Sequence, residues 1–249
     1  MKSIPFFDDR YPVRTVYTDS AVWQRHANWH QRPARDAALQ DYLHMPLKRI
    51  VYASQANSGN VIAVSGEDDG CIDAVASGPE GTCDALVTAT PRVMLCIWTA
   101  DCLPLFLYDS ESHVAAMTHC GWRNICNGIV SNTIDVMARC FGTNPSSVIA
   151  AFGPAICGNC YEVGDELLGA FSKRFSPDEA SSLFTAKPNG KFLLDLRKAV
   201  SLELFQRGVE SGNIHDTGIC SYESQAYSSY RRNGPSDFGR QTLSGIVLA

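Results

Sequence analysis

The chain has 249 residues, of which 45% are apolar or cysteine and 19% are charged. That balance excludes a disordered chain, which carries fewer apolar residues and more charge; 19 Gly and 12 Pro exclude a collagen-like or low-complexity one. Lys and Arg number 21 against 26 Asp and Glu, a net charge of −5, so no broad binding to nucleic acid or to a membrane is expected.

Residues 1–32 form a divergent N-terminal segment, irregular and rich in Trp, His, Arg and Asn. A helix is predicted over 33–43, with Pro33 at its start and Leu39, Tyr42 and Leu43 on one side. Strands follow at 50–53 and 61–64. The Gly-rich stretch 65–83 reads as a long loop. The strongest strand candidates are 93–99, 103–108 and 114–118. Ile125, Ile129, Thr133, Val136, Met137 and Cys140 keep helical period, predicting one helix over 125–141. A strand at 148–152 ends in Gly153-Pro154. Helices are expected at 164–175 and 195–208, the second closed by Gly208. Short strands at 214–218 and 245–248 complete the series. Strands and helices cluster without a regular βαβ alternation, which predicts a single α+β domain over 1–249 with a mixed or largely antiparallel sheet.

Ten cysteines are spread over a chain long and apolar enough to fold without a disulfide scaffold. The first ten residues lack an apolar signal core, and no run of about eighteen apolar residues occurs. The expectation is a cytoplasmic protein with no membrane span, most of whose thiols act as small buried hydrophobes.

The sharpest chemical signal is Thr99-Ala100-Asp101-Cys102-Leu103-Pro104-Leu105 followed by Thr118-His119-Cys120-Gly121-Trp122-Arg123. Two strands lie between, joined by the turn-forming Asp109-Ser110-Glu111-Ser112. A hairpin with Asp109 opposite Ser112 would set Cys102 directly across from His119, with Cβ atoms about 4.5–5.5 Å apart on one face. Three readings stay open: a buried thiol beside a hydrogen-bonded imidazole, a zinc site, or a cysteine nucleophile activated by histidine. Asp101, Trp122, Arg123 and Asn124 surround the pair, and a helix start beside Arg123 makes an anion site.

Other candidates carry less. Cys157-Gly158-Asn159-Cys160 has CxxC spacing but no second pair follows, so incidental loop thiols are expected. His26 and His30 stand four apart, as a metal pair or a solvated surface pair would. Tyr227-Ser228-Ser229-Tyr230-Arg231-Arg232 with Gly239-Arg240 reads as a surface strand or as a wall that binds an anion and stacks a base.

These stretches, together with Asp84-Ala85-Leu86-Val87-Thr88, Gly153-Pro154-Ala155-Ile156, Tyr161-Glu162-Val163-Gly164 and Leu194-Asp195-Leu196-Arg197, resemble the bacterial laccase-domain family from about residue 50 onward. Its members have been called multicopper polyphenol oxidases, zinc-dependent purine nucleoside phosphorylases and peptidoglycan editing factors. The resemblance implies a four-layer α-β-β-α fold with mixed sheets, and a zinc ion held by one Cys and two His. Cys102 and His119 fall on two of those ligand positions. The third falls on Asn57, whose amide oxygen is a weak, neutral ligand. Asp19 stands where the family places a substrate-binding Arg, and a carboxylate there repels phosphate. Either His26, His30 or a water completes the metal shell, or Cys102 and His119 stand without metal.

The implied activity is phosphorolysis of inosine or adenosine, with adenosine deamination also allowed. Purine nucleoside and phosphate are the expected partners, with zinc as the expected cofactor. Copper-based laccase chemistry is less attractive, because six scattered His do not build a multicopper site. Cys102, His119 and Arg123 are the candidate catalytic residues; Arg123, Arg231 and Arg240 are candidates for holding substrate. Two alternatives are a metal-independent hydrolase with Cys102 as nucleophile, His119 as base and Asp101 nearby, and a catalytically degenerate binding protein.

Overall fold

Three apolar runs dictate the architecture. Strands Val93–Thr99, Leu103–Asp109 and Val114–Cys120 are buried almost end to end, on both faces. A strand apolar on both faces must be covered on both, so a layered fold follows. A computed structural model describes residues 1–26, 28–65, 71–75 and 81–249, apart from the side chains of 71–75.

The larger sheet has seven strands in the order Ile214–Asp216, Val148–Phe152, Leu103–Asp109, Val114–Cys120, Ala85–Thr88, Val61–Val64 and Cys71–Val75. It is mixed: Ile214–Asp216 runs parallel to Val148–Phe152, and Val61–Val64 parallel to Ala85–Thr88. The second sheet orders Val13–Tyr17, Thr242–Leu248, Val93–Thr99 and Arg49–Tyr52, with only the last pair parallel. A small third sheet joins Glu162–Val163, Phe192–Leu194 and Phe184–Ala186.

The two large sheets face each other across Leu95, Ile97 and Ile246 on one side and Phe106, Met117 and Ile149 on the other. Leu105, Leu107 and Ala116 point the opposite way, into the helices Ile129–Phe141 and Leu196–Gln206. On the far side, Val16, Met94 and Val247 meet Leu39 and Leu43 of the helix Arg32–Leu43. The layers are α-β-β-α, and the α+β expectation is borne out. Gly245 lets the outer strands close: a Cβ there would lie 2.5 Å from Met94 Cε and 3.0 Å from the Leu95 carbonyl.

Several local expectations need correction. The helix expected over 125–141 is two helices, Trp122–Cys126 and Ile129–Phe141, broken at Gly128 in the left-handed region (φ 75°). The segment 1–32 is not irregular throughout, since it holds the strand Val13–Tyr17 and the short helix Ala21–Arg25. Of the loop expected over 65–83, residues 66–70 and 76–80 lie outside the described residues, and Cys71–Val75 is a strand. The hairpin register also differs: Asp109 pairs with Val114 and Pro104 with His119, so Cys102 is not directly opposite His119. The loop is longer because Asp109 organises it, accepting from the Glu111 N–H (2.9 Å) and the Ser147 hydroxyl (2.6 Å) while His113 turns left-handed (φ 54°). The offset is two residues, one full pleat, so Cys102 and His119 still belong to one face.

Phe106 is fully buried between the sheets. Phe106→Ala should lower stability by about 3–5 kcal/mol, through lost transfer energy and the cavity left behind. Urea unfolding should show a lower midpoint at unchanged slope; a loss below about 1 kcal/mol would mean that this space is not closely packed.

Candidate active site

Asp84 sits at the threshold of strand Ala85–Thr88 with no exposure to solvent. An isolated carboxylate there would be neutral, so its partners matter. The loop 55–59 folds over it: the Ser58 N–H (2.7 Å), Ser58 hydroxyl (2.8 Å) and Ala56 N–H (3.2 Å) all donate to Oδ2, and the Asn57 N–H donates to Oδ1 (3.3 Å). His119 Nδ1 completes the set, 2.8 Å from Oδ1. Burial by itself raises the Asp84 carboxyl; the His119 and Ser58 hydrogen bonds outweigh it and hold the pKa at about 2.

With Nδ1 committed to Asp84, His119 turns Nε2 toward the thiol of Cys102. Both atoms crowd Gly121, where a Cβ would lie 2.9 Å from Cys102 Sγ and 3.7 Å from His119 Nε2. Glycine at 121 is therefore a requirement of the pair. Burial works against a charged His119, but the Cys102 charge and the hydrogen bonds to Asp84 and Cys102 prevail and raise its pKa to about 9. Asn124 closes the rim, accepting from the Gly121 N–H (3.2 Å) and donating to the Ser58 carbonyl (2.9 Å).

Cys102 is aimed by its neighbour. Asp101 holds a left-handed backbone (φ 83°), a strained position for a non-glycine residue. Three bonds fix it: Oδ1 accepts from the Ser221 hydroxyl (2.7 Å), Oδ2 from the Arg231 N–H (2.6 Å), and its carbonyl from the Ile156 N–H (3.0 Å). Its carboxylate is thus occupied in shaping the loop. The carboxylate that serves the imidazole is Asp84, which the residue pattern alone did not single out.

Cys102 and His119 open into a cleft of about 1050 Å³. Trp98 and Tyr161 wall it, and the exposed rings of Tyr230 and Phe238 stand at its rim. Two cations line it. Arg35 lies over Trp98 (5.2 Å) and Tyr52 (4.4 Å); Arg231 lies over Tyr161 (5.2 Å) and donates to the Glu162 carbonyl (2.6 Å). Arg35 and Phe238 escaped the sequence reading because each lies far in sequence from the Cys102 and His119 motifs; Trp98, beside the first, was read only as part of a strand. Asn57 and His30 also line the cleft; His26 does not, and its ring lies against Trp29. Arg123 points elsewhere, exposed and stacked on Trp122 (4.2 Å). Arg240 and Asp19 line a separate cavity of about 510 Å³.

Among the described residues, no third His, Cys, Asp or Glu joins Cys102 and His119 close enough to share an ion. With an amide at position 57, these residues do not fit a three-ligand zinc centre. A different group does gather: Cys157, Cys160, Cys220 and Glu223 place donor atoms within 4.8 Å of one another, a set that could hold a metal ion. The CxxC thiols thus have close neighbours that their sequence spacing did not show. None of the nine cysteines with described side chains is in a disulfide.

The family model described as multi-copper polyphenol oxidoreductase laccase matches residues 31–249. The chain belongs to this family. A purine nucleoside phosphorylase of Bacteroides thetaiotaomicron is 37% identical over 166 residues, covering 66% of this chain and 60% of that protein. One from Deinococcus radiodurans is 40% identical over 152 residues, 60% of this chain and 56% of that protein. The adenosine deaminase RL5, from an unknown prokaryotic organism, is 37% identical over 177 residues, 70% of this chain and 65% of that protein. The chain thus matches 56–65% of the length of these relatives. A crystal structure of a Neisseria meningitidis protein superposes with a TM-score of 0.74 at 26% identity, covering 95% of this chain and 94% of that one. YlmD from Geobacillus stearothermophilus gives 0.72 at 26% identity, covering 85% and 77%. No helix among the described residues of this laccase-family chain is long and apolar enough to cross a membrane.

The His119 and Asp84 shifts make a pH prediction. Raised to about 9, His119 contributes stability that is full below its unfolded value near 6.5 and is lost as pH climbs through about 9. Asp84, depressed to about 2, contributes above its unfolded value near 3.9 and is lost as pH falls toward 2. Asp84→Asn should destabilise the protein at neutral pH and flatten the alkaline decline. Urea unfolding at pH 6 and pH 10 reads both; a variant with the wild-type difference between the two would show that the pair is not coupled.

Proposed function

We propose that the chain is a purine nucleoside phosphorylase-like enzyme, cleaving inosine or adenosine with phosphate. The observation that carries this reading is the cleft itself, where an aromatic wall and two arginines converge on Cys102 and the buried His119–Asp84 pair. The likeness to purine nucleoside phosphorylases 37–40% identical supports it.

Each part has a task. Trp98, Tyr161 and Phe238 offer faces on which a purine stacks. Arg35 and Arg231 supply positive charge for phosphate. In the reaction a phosphate oxygen bonds to the anomeric carbon, the bond from that carbon to the purine nitrogen breaks, and its electron pair leaves with the base. His119, protonated at neutral pH, donates a proton from Nε2 to the departing purine and regains one from the attacking hydrogen phosphate. Asp84 keeps the ring in place and stabilises the imidazolium. The products are the free base and ribose 1-phosphate. No step passes through a metal, because the donors around Cys102 stop at two strong ligands.

A second reading rests on the same three side chains. Thiol, imidazole and buried carboxylate stand in nucleophile, base and orienter order, the arrangement of a cysteine hydrolase. Rapid alkylation of Cys102 near pH 7 with loss of a hydrolytic activity would favour it.

Inosine and adenosine, each with and without phosphate, should be assayed for free base and for ammonia. Base release that requires phosphate is expected, and His119→Gln should reduce it by about 10²–10⁴-fold. Ammonia without base would make the chain a deaminase, and no release from either nucleoside would end the proposal.

A further inference from the structure

Away from the cleft, two turns of like spacing face each other: residues 157–160, Cys-x-x-Cys, and residues 220–223, Cys-x-x-Glu. Each turn closes on itself. The Cys160 N–H donates to the Cys157 carbonyl (3.0 Å), and the Ser224 N–H to the Cys220 carbonyl (3.0 Å). Their first sulfurs are cradled by main-chain N–H groups. Cys220 Sγ accepts from Cys157 (3.4 Å), from Tyr222 and from Glu223; Cys157 Sγ accepts from Asn159. Cys160 completes the ring, with its sulfur 3.3 Å from Glu223 Oε1.

Three thiol sulfurs and a carboxylate oxygen lie within 4.8 Å of one another, the donor set and spacing that a single divalent ion can draw together. Tetrahedral zinc, with Zn–S near 2.3 Å, needs sulfurs about 3.8 Å apart, so side-chain motions of about 1 Å close the shell. Three thiolates match zinc or copper(I); the hard carboxylate selects zinc. Cys157 and Cys160 are half-buried and Glu223 is exposed, which leaves a path from solvent.

We propose that Cys157, Cys160, Cys220 and Glu223 form a structural zinc site that staples these two turns together. The segments it joins are the ones that shape the cleft. Ala155 bridges Cys220, and Arg197 donates to the carbonyls of Ala155 (3.5 Å), Ile156 (3.2 Å) and Ile219 (2.8 Å). From one turn Ile156 holds Asp101, and from the other Ser221 does. Tyr161, next to Cys160, is a cleft wall. The ion therefore acts as a positioning element for the strained residue beside Cys102. It stands whether or not the nucleoside reading holds.

The test is metal content in the full chain, expressed with added zinc and purified under reducing conditions. Cys102→Ala removes the thiol of the cleft and should retain about one zinc per chain. Cys160→Ser and Glu223→Gln should each weaken zinc binding by about tenfold or more, read by competition with a chelator. Glu223→Gln changes only an exposed side chain, so its loss of zinc cannot be ascribed to misfolding. Cobalt(II) in place of zinc should give a sulfur-to-metal absorption band that survives Cys102→Ala and falls with Cys160→Ser. Zinc lost with Cys102→Ala but kept with Cys160→Ser overturns the site. So does copper in place of zinc, or a metal-free protein with a Cys157–Cys160 disulfide in its peptide map.

Discussion

The contact between Asp84 and His119 organises the functional end of this molecule. A carboxylate with no solvent exposure must be supplied with hydrogen bonds or become neutral. Here the supply comes from the loop 55–59 and from the imidazole. One buried charge thereby fixes the loop carrying Asn57, the tilt of the His119 ring, and the direction in which Nε2 meets Cys102. The second constraint is mechanical: Asp101, bent left-handed, is gripped from the Ile156, Ser221 and Arg231 segments, and that grip aims the neighbouring thiol.

How much of this could be read from the residues depends on the range of the forces involved. The long apolar runs over 93–99, 103–108 and 114–118 announced central strands, because burial on both faces leaves no polar alternation. Gly208 marked a helix end, since its left-handed φ of 90° suits glycine. Cys102 and His119 were recognisable as a pair because they flank one hairpin. The register was misjudged by two residues, for its determinant is Asp109 bonding to Ser147, a residue outside the hairpin. Asp84 was visible within a motif, but its role depends on a contact 35 positions away. Gly128 was absorbed into a helical period that the chain interrupts. The Cys157–Cys160 turn seemed to lack a partner because its complement, Cys220 with Glu223, is some sixty residues distant and carries a carboxylate where a fourth thiol is usual.

The fold keeps the family's layers while the cleft departs from the ligand set that the resemblance implied. Asn57 supplies an amide where an imidazole would strengthen metal binding, and Asp19 and Arg240 sit together in a different cavity. Arg35 and Arg231, each braced on an aromatic ring, bring positive charge to the cleft instead. A half-buried thiol beside a buried imidazole of raised proton affinity, itself bonded to a buried carboxylate, is the chemistry left in this chain's own side chains.

The proton on His119 is therefore the quantity to measure. Nitrogen-15 NMR of the imidazole, followed from pH 5 to pH 11, should show the ring doubly protonated through neutrality and titrating at about 9. A titration at about 6.5, the value of an isolated histidine, would contradict the account.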